Sequence, residues 1–215
     1  MPRRSERDPL SRERILQAAM SLADREGIDA VSMRRVGAEL GVEAMSLYRH
    51  IPNKEALIAG LHALMLTEVR HHDGPSGDWQ ERLRVVMRSL RGVYLTHPSI
   101  AQLSVHSQGT DVGFVHFEQD LATMAEAGFA PAEAGLALRS LLSYTTGFSM
   151  REIGLRASRR RMEDESPVAQ RSLAQYPHLM ASYSYLVGEK YDQAFEYGLE
   201  RILAGIELER DSSLS

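Results

Sequence analysis

Between residues 34 and 54 the chain gathers side chains suited to gripping a polyanion: Arg34, Ser46, Tyr48, Arg49, His50 and Lys54, with Ala44 and Met45 among them. Hydroxyls and cations bond phosphate oxygens, arginine also offers a two-pronged donor to guanine, and small apolar groups such as those of Ala44 and Met45 meet the thymine methyl. The expected ligand is double-stranded DNA. Arg34 is placed for a base edge, and Lys54 for a phosphate at the open amides of a helix start. Arg3, Arg4 and Arg7 add contacts from a flexible N-terminal arm. Charge agrees with this placement: residues 1–54 carry 10 Lys+Arg against 8 Asp+Glu, whereas the whole chain has a net charge of -4. The basic end is the nucleic-acid candidate.

Such side chains work only if a rigid element presents them, and the local pattern supplies one. Ser32 caps a short helix that reaches Leu40, with Val36 and Leu40 one turn apart on its inner face. Gly37 leaves room for a neighbouring helix, and Gly41 can take a positive φ at a turn. A second helix over 44–50 buries Leu47 and turns the polar residues outward. Two short helices joined by a glycine turn make a helix-turn-helix, whose second member fits a major groove. An earlier helix runs from the Ser11 cap to Gly27, and a longer one over 54–70 carries Leu57, Ile58, Leu61, Leu64 and Met65.

Beyond residue 70 the apolar period stays helical, with segments expected near 78–96, 100–108, 111–127, 131–157, 167–187 and 189–208. The fold class is therefore all-α: an N-terminal helix-turn-helix domain over 1–53, and a larger helical domain over 54–215 with 54–70 as the connecting helix. The tract Arg159 to Glu165 reads as a solvated loop. The N-terminal stretch lacks the apolar run of a secretory signal, and no segment approaches the ~18 apolar residues of a membrane span. A cytoplasmic protein without a membrane partner is expected.

Catalytic signatures are missing. The chain has no cysteine, and neither nucleophile-elbow, phosphate-loop, dinucleotide nor HExxH patterns occur. No catalytic residue, metal ligand or cofactor is assigned. His71 and His72 are adjacent, so on a helix they diverge by about 100° and do not share a metal. His97, closing a helix before Pro98, is expected to face that helix's C-terminal dipole; His106 and His116 are candidate polar anchors. The alternatives to a DNA-binding regulator are an all-helical enzyme and a helix-turn-helix used only for protein contact.

The stretch from Ser32 to Leu57, with Leu47-Tyr48, His50 and Asn53-Lys54 in their expected places, resembles the DNA-binding domain of the tetracycline-repressor (TetR) family. Trp79-Gln80, Leu95-Thr96-His97 and Ala127-Gly128-Phe129 are similar to the ligand domain of the tetracycline-repressor subgroup. The resemblance implies a homodimer paired through two long C-terminal helices, an operator as DNA partner, and repression relieved by a small-molecule effector. Leu136, Leu138, Leu141, Leu142, Phe195, Leu199, Ile202 and Leu203 are the expected dimer-face residues. This chain departs from the subgroup at Val86 and Leu90, where asparagine and phenylalanine are usual, and at Ser104, where a metal-binding histidine is usual. A more apolar effector is therefore expected, in a pocket walled by Val86, Leu90, Leu103, His106, Phe117, Leu121, Tyr144 and Phe148.

Overall fold

The computed structural model describes residues 9–72, 78–105, 110–162, 175–186 and 190–213. Among these the only regular elements are helices: α1 (Arg12–Glu26), α2 (Met33–Leu40), α3 (Ala44–Leu47), α4 (Lys54–Leu66), α5 (Trp79–Thr96), α6 (Pro98–Ala101), α7 (Asp111–Glu126), α8 (Pro131–Met162), α9 (Pro177–Leu186) and α10 (Tyr191–Ser213), with 3-10 turns at Ile28–Ala30 and Gln102–Val105.

The helix starts follow side-chain chemistry. Ser11 Oγ accepts from the Arg14 amide, Ser32 Oγ from that of Arg35, and Asn53 Oδ1 from that of Ala56. Each takes up a donor that the first turn leaves without an intrahelical partner. Two elements are shorter than their periodicity suggests. The helix after Asn53 stops at Leu66 rather than running to residue 70, because Thr67 turns its hydroxyl back onto the Leu64 carbonyl; His71 and His72 therefore lie beyond it. The helix beginning at Ala44 regularises only to Leu47 and continues as a turn to His50. In the other direction, α8 runs on through Arg159–Met162, residues with good helix propensity, and the rest of that charged tract lies outside the described residues.

The chain forms two compact units. The first comprises residues 1–68 and 97–114, the second residues 69–96 and 115–215. In the first, α1 packs on α2, α4 and α6, and α2 on α3. Ile15, Leu22, Val36, Leu47, Ile51, Leu57, Leu61, Met65 and Ile100 are almost wholly excluded from water. Each such side chain contributes roughly 1.5–3 kcal/mol on burial, enough to hold three short helices that would not persist in isolation.

In the second unit α8 packs against both α5 and α10. Leu138 and Leu141 of α8 and Phe195, Leu199 and Leu203 of α10 are buried in this unit's own core. Of the residues expected on a dimer face, Leu136 is 67% exposed while Leu142 and Ile202 are half-buried. The inward turn of the other five follows from the α8–α10 packing, which claims one stripe of each helix.

Candidate functional site

The wedge over residues 33–50 forms as a close approach of two helices. Gly41 has φ 66° and ψ 36°, the left-handed conformation that lets the chain reverse after α2. A Cβ at Gly37 would lie 2.9 Å from the Val42 carbonyl oxygen and 3.3 Å from the Ala44 nitrogen. Only glycine lets α3 sit this close, and the Val42 amide donates to the Gly37 carbonyl at 2.9 Å.

Leu47 is the buried anchor of α3. Around it Met45 is 72% and Tyr48 43% exposed; Arg34, Arg49, His50 and Lys54 are exposed, and Ala44 and Ser46 half-buried. All eight residues expected to meet DNA thus belong to one unit and keep access to solvent. Their neighbours are engaged differently: Arg25 pairs with Glu39 at 2.7 Å and Arg35 with Glu26 at 2.8 Å. Among the described residues Arg34, Arg49 and Lys54 enter no ion pair, which leaves their charge available to phosphate. Arg3, Arg4 and Arg7 lie outside the described residues.

The first unit also contains a histidine clip. His97 Nδ1 is 2.9–3.0 Å from both Asp24 carboxylate oxygens, and its Nε2 is 3.1 Å from Glu68 Oε2. With a carboxylate at each ring nitrogen, the arrangement favours the imidazolium, which donates from both. Burial is the largest influence on its pKa and acts downward, but the two carboxylates together outweigh it and the net shift is upward. His97 therefore holds carboxylates on α1 and just after α4 rather than the end of α5. Nearby His62 stands 2.9 Å from Ser104 Oγ, and burial pushes its pKa down, favouring the neutral ring.

The residues expected to wall a pocket divide. Val86 and Leu90 are buried on α5, Leu121 is half-buried and Phe117 exposed on α7, and Tyr144 and Phe148 are half-buried on α8. Leu103 belongs to the first unit, and His106 lies outside the described residues. Tyr144 and Phe148 are committed to α10: their rings lie 5.6 and 5.4 Å from that of Phe195, and the Tyr144 hydroxyl donates to the Phe195 carbonyl at 2.9 Å. Burial raises the pKa of this phenol.

Two clusters in this unit were not anticipated. Arg91 Nε and Nη2 donate to the buried Glu152 carboxylate at 2.9 and 3.1 Å, and the guanidinium lies 4.9 Å from the Phe195 ring centroid. Arg84, Arg88 and Arg91, one turn apart on α5, pair with Glu200, Glu196 and Asp192 of α10 at 2.6, 2.7 and 2.7 Å. A helical reading of 84–91 puts these arginines on one face, but their partners come from over a hundred residues away. Elsewhere, the His71 and His116 rings stack at 4.8 Å with 3° between planes, and His71 Nε2 is 3.3 Å from Asp120 Oδ1.

Ser104 offers a neutral hydroxyl engaged with His62, and among the described residues no group of three or more His, Asp or Glu could hold an ion.

Two family models match the chain: bacterial regulatory proteins of the tetR family over residues 15–61, and the tetracyclin repressor-like C-terminal domain over residues 73–210. The chain belongs to the TetR family. It is 29% identical to the HTH-type transcriptional repressor DrrR1 of Streptomyces coeruleorubidus, covering 96% of this chain and 81% of that protein. It is 27% identical to the tetracycline repressor protein class G of Vibrio anguillarum, covering 96% and 98%. The solved structure of Streptomyces coelicolor ActR in complex with actinorhodin matches with a TM-score of 0.74 at 27% identity, covering 93% of this chain and 96% of that one. These relatives are transcriptional regulators. This TetR-family chain is a ligand-responsive, DNA-binding repressor with a helix-turn-helix over α2 and α3, and among its described residues no helix is long and apolar enough to cross a membrane.

Proposed function

We propose that this TetR-family repressor is a cytoplasmic homodimer, acting by binding alone and not as an enzyme. Two copies of α3 enter successive major grooves of an operator. Reading heads on one face of B-DNA need a separation of roughly 34–36 Å or a multiple of it. The roles divide near residue 53, with residues 1–53 reading DNA and residues 54–215 sensing the effector and pairing. The observation that carries the reading is the outward display of Ala44, Met45, Ser46, Tyr48, Arg49 and His50 around a single buried anchor, Leu47, with Arg34 and Lys54 beside them.

Pairing is supported by the groove of about 740 Å³ between α8 and α10, where Leu136, Ile202, Ile206 and Leu208 are among the lining residues. A second copy would remove this apolar surface from water. The effector is a small, largely apolar molecule held in the second unit near Val86, Leu90, Phe117, Leu121, Tyr144 and Phe148. The relatives named for tetracycline, and ActR solved with actinorhodin, support a small-molecule effector. Because α6 follows α5 after one residue and packs on α1 and α4, displacement of α5 by the effector passes along the chain into the reading unit, so operator and effector oppose each other.

The test replaces Arg34, Arg49 and Lys54 together by alanine and measures operator affinity against salt on DNA flanking the gene. Loss of the Arg49 and Lys54 phosphate contacts together with the Arg34 base contact should lower affinity and reduce the log–log salt slope by about 2. An unchanged slope and affinity would remove the reading.

A further inference from the structure

Ten methionines and no cysteine make thioethers the only sulfur in this chain. In the first unit Met20, Met33 and Met65 are buried, whereas Met45 is more exposed than any other large apolar side chain among the described residues. Leu47 is the one buried residue of α3, so the Met45 side chain does no work in the core of its own unit. It stands instead on the reading surface, next to Ala44 and Ser46 and four residues before Arg49. The sulfur most open to reagents in solution is thus also the one placed where the repressor meets DNA.

A thioether is oxidised by peroxides in a two-electron step. The sulfur lone pair attacks one peroxide oxygen, the S–O bond forms as the O–O bond breaks, and the second oxygen leaves with both protons as water. Sulfur loses the two electrons that the peroxide gains, and the product is the sulfoxide. On the reading surface that change is unfavourable for two reasons. The sulfoxide oxygen accepts hydrogen bonds but donates none, so against a thymine methyl it is stripped of water without compensation. An acceptor four residues before Arg49 also competes with phosphate for that guanidinium. We propose that Met45 is an oxidation site, and that its conversion to the sulfoxide by a peroxide releases the repressor from its operator. This rests on the reading that α3 meets DNA, and adds to it an input that bypasses the effector. The buried methionines of the unit are shielded from the same reagent, so the wedge stays folded, and enzymatic reduction of the sulfoxide reverses the change.

The experiment treats the full chain with hydrogen peroxide, follows each methionine by peptide mass mapping, and measures affinity for DNA flanking the gene by mobility shift. Each protein is referred to its own untreated affinity. Met45 should oxidise before Met20, Met33 and Met65, and affinity should fall about tenfold or more as it does so. The same DNA present during treatment should slow oxidation of Met45 but not that of Met180, which is exposed on α9. Methionine sulfoxide reductases should restore binding. Met45→Leu, with no sulfur at this position, should keep its own affinity through the treatment, while Met180→Leu should lose affinity as the unaltered chain does. Undiminished affinity with Met45 fully oxidised, unslowed oxidation of Met45 on DNA, or an equal loss in Met45→Leu would each overturn the inference and leave DNA binding itself in place. No binding by the untreated chain would remove the earlier reading, and this one with it.

Discussion

Replacing His97 by glutamine should flatten the loss of stability that sets in above about pH 6.5, read by comparing about pH 6 with a more alkaline pH. The native ring reaches Asp24 through Nδ1 and Glu68 through Nε2, and the two contacts together favour the imidazolium. Although burial pulls the other way, the two carboxylates raise its pKa above the ordinary imidazole value of 6.5. A group whose folded pKa is raised stabilises fully below its unfolded value, and that stabilisation disappears as pH climbs through the folded value. The unaltered protein should therefore lose stability above pH 6.5, by at most about 1.4 kcal/mol per pH unit for one proton. Hydrogen bonds to charged groups contribute about 1.5–3 kcal/mol each when shielded, but the Asp24 and Glu68 side chains are 31% and 45% exposed, so the pair together should be worth about 1–3 kcal/mol. Glutamine keeps one donor and loses the charge. Urea melts at the two pH values should show His97→Gln destabilised by about 1–2 kcal/mol at the lower pH, or roughly 2–8 °C in melting temperature, and by much less at the higher. Taking the difference between the two proteins cancels every other titrating group. A gap of equal size at both pH values would refute the argument.

Gly37→Ala should destabilise the first unit by about 1–3 kcal/mol through overpacking against backbone that cannot retreat, and abolish the operator shift while leaving ligand binding intact; a melt and a mobility shift on the same sample check both. Arg91→Ala should cost about 3–5 kcal/mol, because it strands the fully buried Glu152 carboxylate with only the half-exposed Arg156 beside it. Arg88→Ala, which breaks the more exposed pair with Glu196, should cost under about 1 kcal/mol by the same denaturant melt.

Local chemistry made the reading elements legible. Ser11, Ser32 and Asn53 each cap a helix as their residue types suggest, and Gly41 makes the turn its conformational freedom suggests. The features that escaped depend on distant partners. His97 looks like a helix-end residue until Asp24, 73 positions earlier, and Glu68 meet it. Glu152 reads as a surface charge on a long helix unless Arg91 is known to reach it. Periodicity shows that Leu138, Leu141, Phe195 and Leu199 share helix faces, but it does not say whether a face meets the chain's own core or a second copy. Asp120, His71 and His116 were separable only in space, since no spacing rule links residue 71 to residue 120.

The first unit is assembled from two stretches of chain separated by α5, and Ile100 and Ala101, which come from the later stretch, are completely buried in it. A peptide cut after Glu68 would leave their seat on α1 and α4 open to water and His97's two carboxylates facing nothing. The operator reader therefore cannot be excised as a contiguous fragment. Grafting it onto another sensor would require carrying residues 97–114 along, or replacing the apolar plug they provide.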